Sequence, residues 1–126
     1  MCNNKFYYCE HCGNIVGMIH SSGVPMMCCG AKMKQLEPGV VEASHEKHIP
    51  VVSVEGDLVK VEVGSVLHPM TEEHSIEWIY LQTDKGGHRK CLAPGAAPAT
   101  TFALADEKPL GVYAYCNLHG LWMAEI

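Results

Sequence analysis

Residues 51–64 read VVSVEGDLVKVEVG. Val59, Val61 and Val63 share one face and Lys60 and Glu62 the other, the period of a half-buried strand. Gly56-Asp57 separates the two apolar runs at the spacing of a hairpin turn. Working outward, SIEWIYLQ (75–82) is followed by a turn at Lys85-Gly86-Gly87 and by HRKCLA (88–93). TTFALA (100–105), LGVYAYC (110–116) and LWMAEI (121–126) complete the series. About seven short strands at steady spacing predict a β-sandwich of roughly 90 residues. No stretch has the pattern of an amphipathic helix, and no repeat or low-complexity tract is present.

The chain has 126 residues, 48% of them hydrophobic, 18% charged, with a net charge of −5. That balance argues against binding to nucleic acid or to an anionic membrane. No apolar run approaches the ~18 residues of a membrane span. The opening MCNNKFYYCEHCG has no apolar core of a signal peptide, so a cytoplasmic location is expected. Seven cysteines and eight histidines are many for this length. An odd cysteine count suits a disulfide framework poorly, and clustered cysteines in a cytosolic chain point to metal or redox chemistry.

The character of the chain changes near Glu37-Pro38-Gly39. Residues 1–37 are expected to form one unit and 38–126 another. The first is too short to bury enough apolar surface unaided, since below ~40 residues a metal or disulfide is usually needed. It carries Cys9-x-x-Cys12 and then Cys28-Cys29, each pair followed by a glycine, Gly13 or Gly30, that allows the backbone to turn tightly beneath a metal. Zinc and iron suit this spacing equally. Neighbouring side chains point apart, so the adjacent pair should distort a tetrahedron. Cys2 has no partner at ligand spacing, and His11 is expected to be exposed.

The β region adds SHEKHIP (44–50), LHPMTEEHS (67–75) and CNLHG (116–120). A C-x-x-H turn can direct both side chains at one metal, and the amides after Cys116 can donate to its sulfur. Each loop is weak evidence alone; their convergence at strand ends carries the argument. His88-x-x-Cys91 has the same spacing but lies in a predicted strand, where residues three apart face opposite sides.

The order Cys9-x-x-Cys12, Cys28-Cys29, Glu46-Lys47-His48-x-Pro50, His68-Pro69-Met70, His74 and Cys116-Asn117-x-His119-Gly120-x-Trp122 resembles desulfoferrodoxin, the two-iron superoxide reductases, over essentially the whole chain. The resemblance implies a mainly β protein: a small metal-stapled, desulforedoxin-like N-terminal domain, then an immunoglobulin-like β-sandwich, usually as a homodimer. It implies two irons per chain. One is held by Cys9, Cys12, Cys28 and Cys29. The other is held by His48, His68, His74 and His119 around it, with Cys116 axial and a sixth position open.

The implied reaction is one-electron reduction of superoxide to hydrogen peroxide without release of dioxygen. Lys47 would attract the anion and assist protonation, and Glu46 would close on the sixth position after oxidation to Fe(III). The four-cysteine iron would serve electron transfer or structure. Rubredoxin or a similar small redox protein would be the donor. Ala114 and Met123 stand where family members often carry Glu and Lys. Cys91 matches no ligand and is expected to be a core thiol. Trp78, Phe102, Tyr113 and Tyr115 are expected to be sandwich core or surface aromatics, Trp122 to pack near the site, and His20, His45 and His88 to be solvated.

Overall fold

In this computed structural model, residues 4–126 are described; Cys2 lies outside them. The alternating runs become strands where the sequence places them. The sandwich is built from β6 (Pro50–Glu55), β7 (Leu58–Val63), β8 (Ile76–Thr83), β9 (Gly86–Cys91), β10 (Ala99–Ala103), β11 (Pro109–Cys116) and β12 (Gly120–Glu125). One sheet has the order β10-β7-β6, the other β12-β11-β8-β9, and the pairs within each are antiparallel. Val59, Val61 and Val63 point inward from β7 and meet Ile79 and Leu81 of β8, Phe102 of β10, and Val112, Ala114 and Cys116 of β11. The period-two pattern thus becomes a core between two sheets, and Cys116 closes one end of it.

Preceding the sandwich, β1 (Lys5–Tyr8), β2 (Ile15–Met18) and β5 (Lys34–Gln35) form a small sheet of order β2-β1-β5. β3 (Met27–Cys28) and β4 (Ala31–Lys32) pair as a short ribbon. This unit lends little apolar surface to itself. Its buried Phe6 packs instead on the outer face of the four-stranded sheet, with ring centroids 4.9 Å from Trp78 and 5.2 Å from Tyr80. The same cluster takes in Leu121, Tyr113 and Tyr115. β8 is therefore covered on both faces, which explains why SIEWIYLQ reads as a nearly continuous apolar run and not as a clean alternation. Trp78 belongs to the contact between the two units, not to the sandwich interior.

Two features adjust the sheet near the site. Tyr115 pairs with Trp78, but Cys116 pairs with Ile76, so Glu77 is the extra residue of a bulge. The bulge puts Ile76 and Ile79, three apart, on the same inward face. The second is a single turn of helix, α1 (His45–His48), between the N-terminal unit and β6. Four residues are too few for any helical periodicity to show in sequence. Among the described residues, no helix is long and apolar enough to cross a membrane.

Cys91 is not a core thiol. It is exposed at the end of the edge strand β9, where Arg89 Nη1 donates to its sulfur at 2.9 Å. His88, expected to be solvated, instead lies 2.5 Å from Glu107 through Nε2, and Thr83 Oγ1 donates to the same carboxylate at 2.7 Å. Both differences arise at a sheet edge, where alternation does not say which neighbour an outward side chain finds.

Candidate metal centres

The first centre is the four-cysteine group. The ligand atoms of Cys9, Cys12, Cys28 and Cys29 lie within 4.8 Å of one another. Gly13 and Gly30 both have positive φ, 83° and 72°, as the tight turns after each pair require. The difficulty of adjacent ligands is solved in the backbone: Cys29 adopts φ 53°, a left-handed conformation unusual for a residue with a Cβ, which turns its side chain to the same side as that of Cys28. Cys12 and Cys28 sulfurs are 3.6 Å apart, close to the edge of about 3.8 Å that metal–sulfur bonds of ~2.3 Å impose on a tetrahedron.

Electrostatics point the same way. The Cys9 thiol is lowered to about 6, first by the backbone N–H of Cys12, whereas Cys29 is pushed up to about 12, first by the side chain of Cys12. The neighbouring thiols make ionisation of Cys29 harder, and a bound cation is what lets all four lose their protons together. His11, between two of these ligands, is exposed as expected.

The second centre lies at the end of the sandwich where β11 stops. Cys116 is fully buried at the strand end. The turn that follows returns through Gly120, φ 78°, into β12 and carries His119. α1 supplies His48, and the loop between β7 and β8 supplies His68 and His74. Donor atoms of His48, His68, His74 and Cys116 all lie within 4.8 Å of one another. His119 is not among the atoms that close within that distance; its Nδ1 is 3.7 Å from Cys116 Sγ.

The four imidazoles nonetheless form a ring of neighbours. Successive centroids are 4.7 Å (His48–His68), 4.5 Å (His68–His74), 5.1 Å (His74–His119) and 4.9 Å (His119–His48). The His48–His74 separation is longer, 6.4 Å. A tetrahedral cluster would make all separations alike; four short sides and a longer diagonal make a square. Successive rings are steeply inclined, between 73° and 85°.

Tautomers follow from the hydrogen bonds. His48 Nδ1 donates to Ser44 O at 2.7 Å and His68 Nδ1 to Pro69 O at 2.6 Å. In neutral rings this leaves both Nε2 atoms as bare acceptors, yet they face each other at 3.2 Å. Two lone pairs so placed repel unless a cation sits between them, and metal–nitrogen bonds of ~2.1 Å at a right angle predict a spacing of about 3.0 Å. His74 Nε2 is buried with no hydrogen-bond partner among the described residues. Burial also lowers the pKa of His48, His68 (to about 4) and His74, so these rings are neutral at pH 7 and ready to ligate. The residues present therefore fit a metal ion.

Burial raises the Cys116 thiol, and the backbone N–H groups of Leu118 and His119 oppose that by donating to its sulfur. Trp122 packs at this site as expected, its centroid 5.0 Å from His48, and its Nε1 donates to His119 O at 3.0 Å. His45 is exposed and sits edge-on to Trp122. Lys47 and Glu46 are exposed on α1, and the charge of Lys47 reaches both His48 and His74. Glu46 is held below its ordinary pKa, first by its own backbone N–H.

One residue important to the site was not singled out from the sequence. A Cβ on Gly64 would stand 2.6 Å from Glu46 O and 2.8 Å from Ile49 O. Val66 N and Ser65 Oγ also donate to Glu46 O, so the 64–66 segment is a seat for α1. No motif marks such a glycine, because the contact spans nearly twenty residues of sequence.

A four-thiolate unit packed on a sandwich that carries a histidine–thiolate site defines a two-site iron protein. Residues 40–125 match the desulfoferrodoxin family. The desulfoferrodoxin of Nitratidesulfovibrio vulgaris is 46% identical over 121 residues, 96% of this chain and 95% of that one. The superoxide reductase of Treponema pallidum has a solved structure with a TM-score of 0.81 and 43% identity, covering 97% of this chain and 98% of that one. The superoxide reductase (1Fe-SOR) of Giardia intestinalis covers 64% of this chain and 97% of its own, with a TM-score of 0.55 and 33% identity. The chain belongs to the desulfoferrodoxin family.

Changing Cys29 to Ser should remove iron from the first centre and leave the second loaded. Iron content would fall by half, and the thiolate-to-iron absorption of the first centre would vanish. Loss of both irons would contradict the separation of the two donor sets.

Proposed function

We propose that this protein is a superoxide reductase acting at the histidine–cysteine centre. The observation that carries the reading is the square of imidazoles with Cys116 at the core side and no carboxylate in the donor group. Cys9, Cys12, Cys28 and Cys29 hold the first iron. His48, His68, His74, His119 and Cys116 hold the second, His119 through the Nδ1 that lies beside the sulfur. Bound there, ferrous iron would supply the one electron that, with two protons, takes superoxide to hydrogen peroxide.

The protein's own residues prepare that chemistry. Ser44 O and Pro69 O orient two rings and fix their tautomers. The sandwich core keeps water from Cys116, and the Leu118 and His119 amides moderate the charge on its sulfur. Lys47 supplies local positive potential for an anion approaching a protein of net charge −5, and assists protonation. Glu46, two residues before His48 on the same exposed turn, is the carboxylate that would close on an oxidised metal there.

Residues 1–37 and 38–126 divide the work, the first as an electron-transfer or structural unit and the second as the reacting one. A small redox protein such as rubredoxin is the proposed donor. A homodimer is the proposed assembly, supported by the solvent-facing Ile19, Val24 and Met27 of the N-terminal unit. A reducing cytoplasm suits six described cysteines that are all free.

Rapid mixing of the reduced protein with superoxide tests the reading: stoichiometric hydrogen peroxide and oxidation of the second iron are expected. A reversible redox protein that does not react directly with superoxide would refute it. In the same experiment Lys47→Ala should slow oxidation of the second iron by about tenfold at low salt and flatten its dependence on ionic strength. An unchanged rate at low salt would remove Lys47 from this role.

A further inference from the structure

The two centres are joined by a run of aromatic rings. Tyr115 is the covalent neighbour of Cys116, but alternation along β11 sends its ring to the opposite face of the sheet, away from the sandwich core. There it stacks on its cross-strand partner Trp78, with centroids 5.4 Å apart and planes inclined by only 9°. Trp78 in turn meets Phe6 at 4.9 Å. Phe6 lies on β1, and three residues further along the same chain is Cys9, the buried ligand of the first centre. Phe6 and Trp78 are buried, so the bridge is shielded from water where the two units meet.

The donor sets give this bridge a direction. Four thiolates place far more negative charge on an iron than one thiolate and four neutral imidazoles, and so stabilise its ferric form. Replacing thiolates by imidazoles raises the potential of iron sites in general. An electron therefore runs downhill from the four-cysteine centre to the histidine centre. The first centre is also the one whose ligands reach the surface, with Cys12 and Cys29 exposed, whereas Cys116, His48 and His68 are buried.

We infer that Phe6, Trp78 and Tyr115 form an internal electron path by which the four-cysteine iron re-reduces the histidine–cysteine iron. One electron leaves the first centre, taking it from Fe(II) to Fe(III). The same electron takes the second from Fe(III) to Fe(II), and no proton or bond is exchanged. The inference rests on the two-iron reading above but not on superoxide as substrate. It makes Trp78 a positioning residue for electron transfer.

The test uses the full-length, iron-loaded protein with both centres oxidised. A flash-reduced flavin delivers less than one electron per chain. The ferric absorption of the first centre should fall first. It should then recover at the rate at which the ferric absorption of the second centre disappears, and that rate should not depend on protein concentration. Trp78→Leu should slow the recovery severalfold while leaving both ferric spectra unchanged, and Trp78→Phe should restore most of it. If Trp78→Leu does not fold, Tyr115→Leu is read by the same criterion. A recovery as fast in the leucine variant as in the parent protein would overturn the inference, and so would one that scales with protein concentration or direct reduction of the second centre. The rate of oxidation by superoxide, measured separately, reports on the functional reading alone.

Discussion

Replacing Cys116 with Ser is expected to abolish reduction of superoxide while leaving a folded protein that still holds its first iron. Cys116 is the only thiolate in the second donor group, and it ends β11 at the floor of the histidine square. Serine is close in size, and its hydroxyl inherits the donors that now serve the sulfur, the amides of Leu118 and His119. The new buried oxygen is thus satisfied, and the stability cost should stay near the lower end of the ~1–3 kcal/mol for an unpaired buried polar group. The electronic consequence is larger. A neutral hydroxyl cannot supply the electron density of a thiolate, and its loss should reduce the rate by at least about 100-fold, since even outer partners of metal ligands are worth 10–100-fold. Stopped-flow oxidation by superoxide, the iron-to-protein ratio and thermal unfolding would be measured together. Activity within tenfold of the parent protein would show that the reaction does not depend on the Cys116 thiolate.

Much of this architecture is legible in the chain because its strands obey a short-range rule. Val59, Val61 and Val63 announce an inward face at every second residue, and the seven predicted runs become β6 to β12. The ligands are legible for a different reason. Cysteine and histidine are rare enough that their clustering at strand ends carries information, and the order of motifs resembles a family. What escapes are features created by contacts between distant segments. SIEWIYLQ does not reveal that Glu77 is bulged, because the bulge exists only against β11. Phe6 does not reveal that its partners are Trp78 and Tyr80, more than seventy residues away. Cys28-Cys29 looked awkward as a ligand pair because side-chain alternation assumes ordinary φ, and Cys29 departs from it. α1 fixes the orientation of His48, yet it is one turn long and has no periodic signature.

Gly64 to Ala is the second change expected to act strongly, and it touches no ligand. The added methyl would stand 2.6 Å from Glu46 O and 2.8 Å from Ile49 O, with Lys47 C at 3.2 Å. These are backbone atoms on either side of His48, so no flexible side-chain tip can yield. Either the 64–66 segment moves away and gives up the Val66 N to Glu46 O bond of 2.9 Å, or α1 shifts and carries His48 out of the square. Overpacking of this kind costs about 1–3 kcal/mol. A displacement of about 1 Å at a reacting site can cost 10²-fold in rate. Because Lys47 and Glu46 ride on the same turn, the roles proposed for them should suffer together with ligation. The first centre, on its own backbone turns, should keep its full iron and spectrum. That contrast separates a local shift of α1 from general unfolding: second-site iron and activity should fall while the four-thiolate absorption holds. A Gly64→Ala protein with an unperturbed second centre would show that the 64–66 segment can retreat without moving α1 and His48.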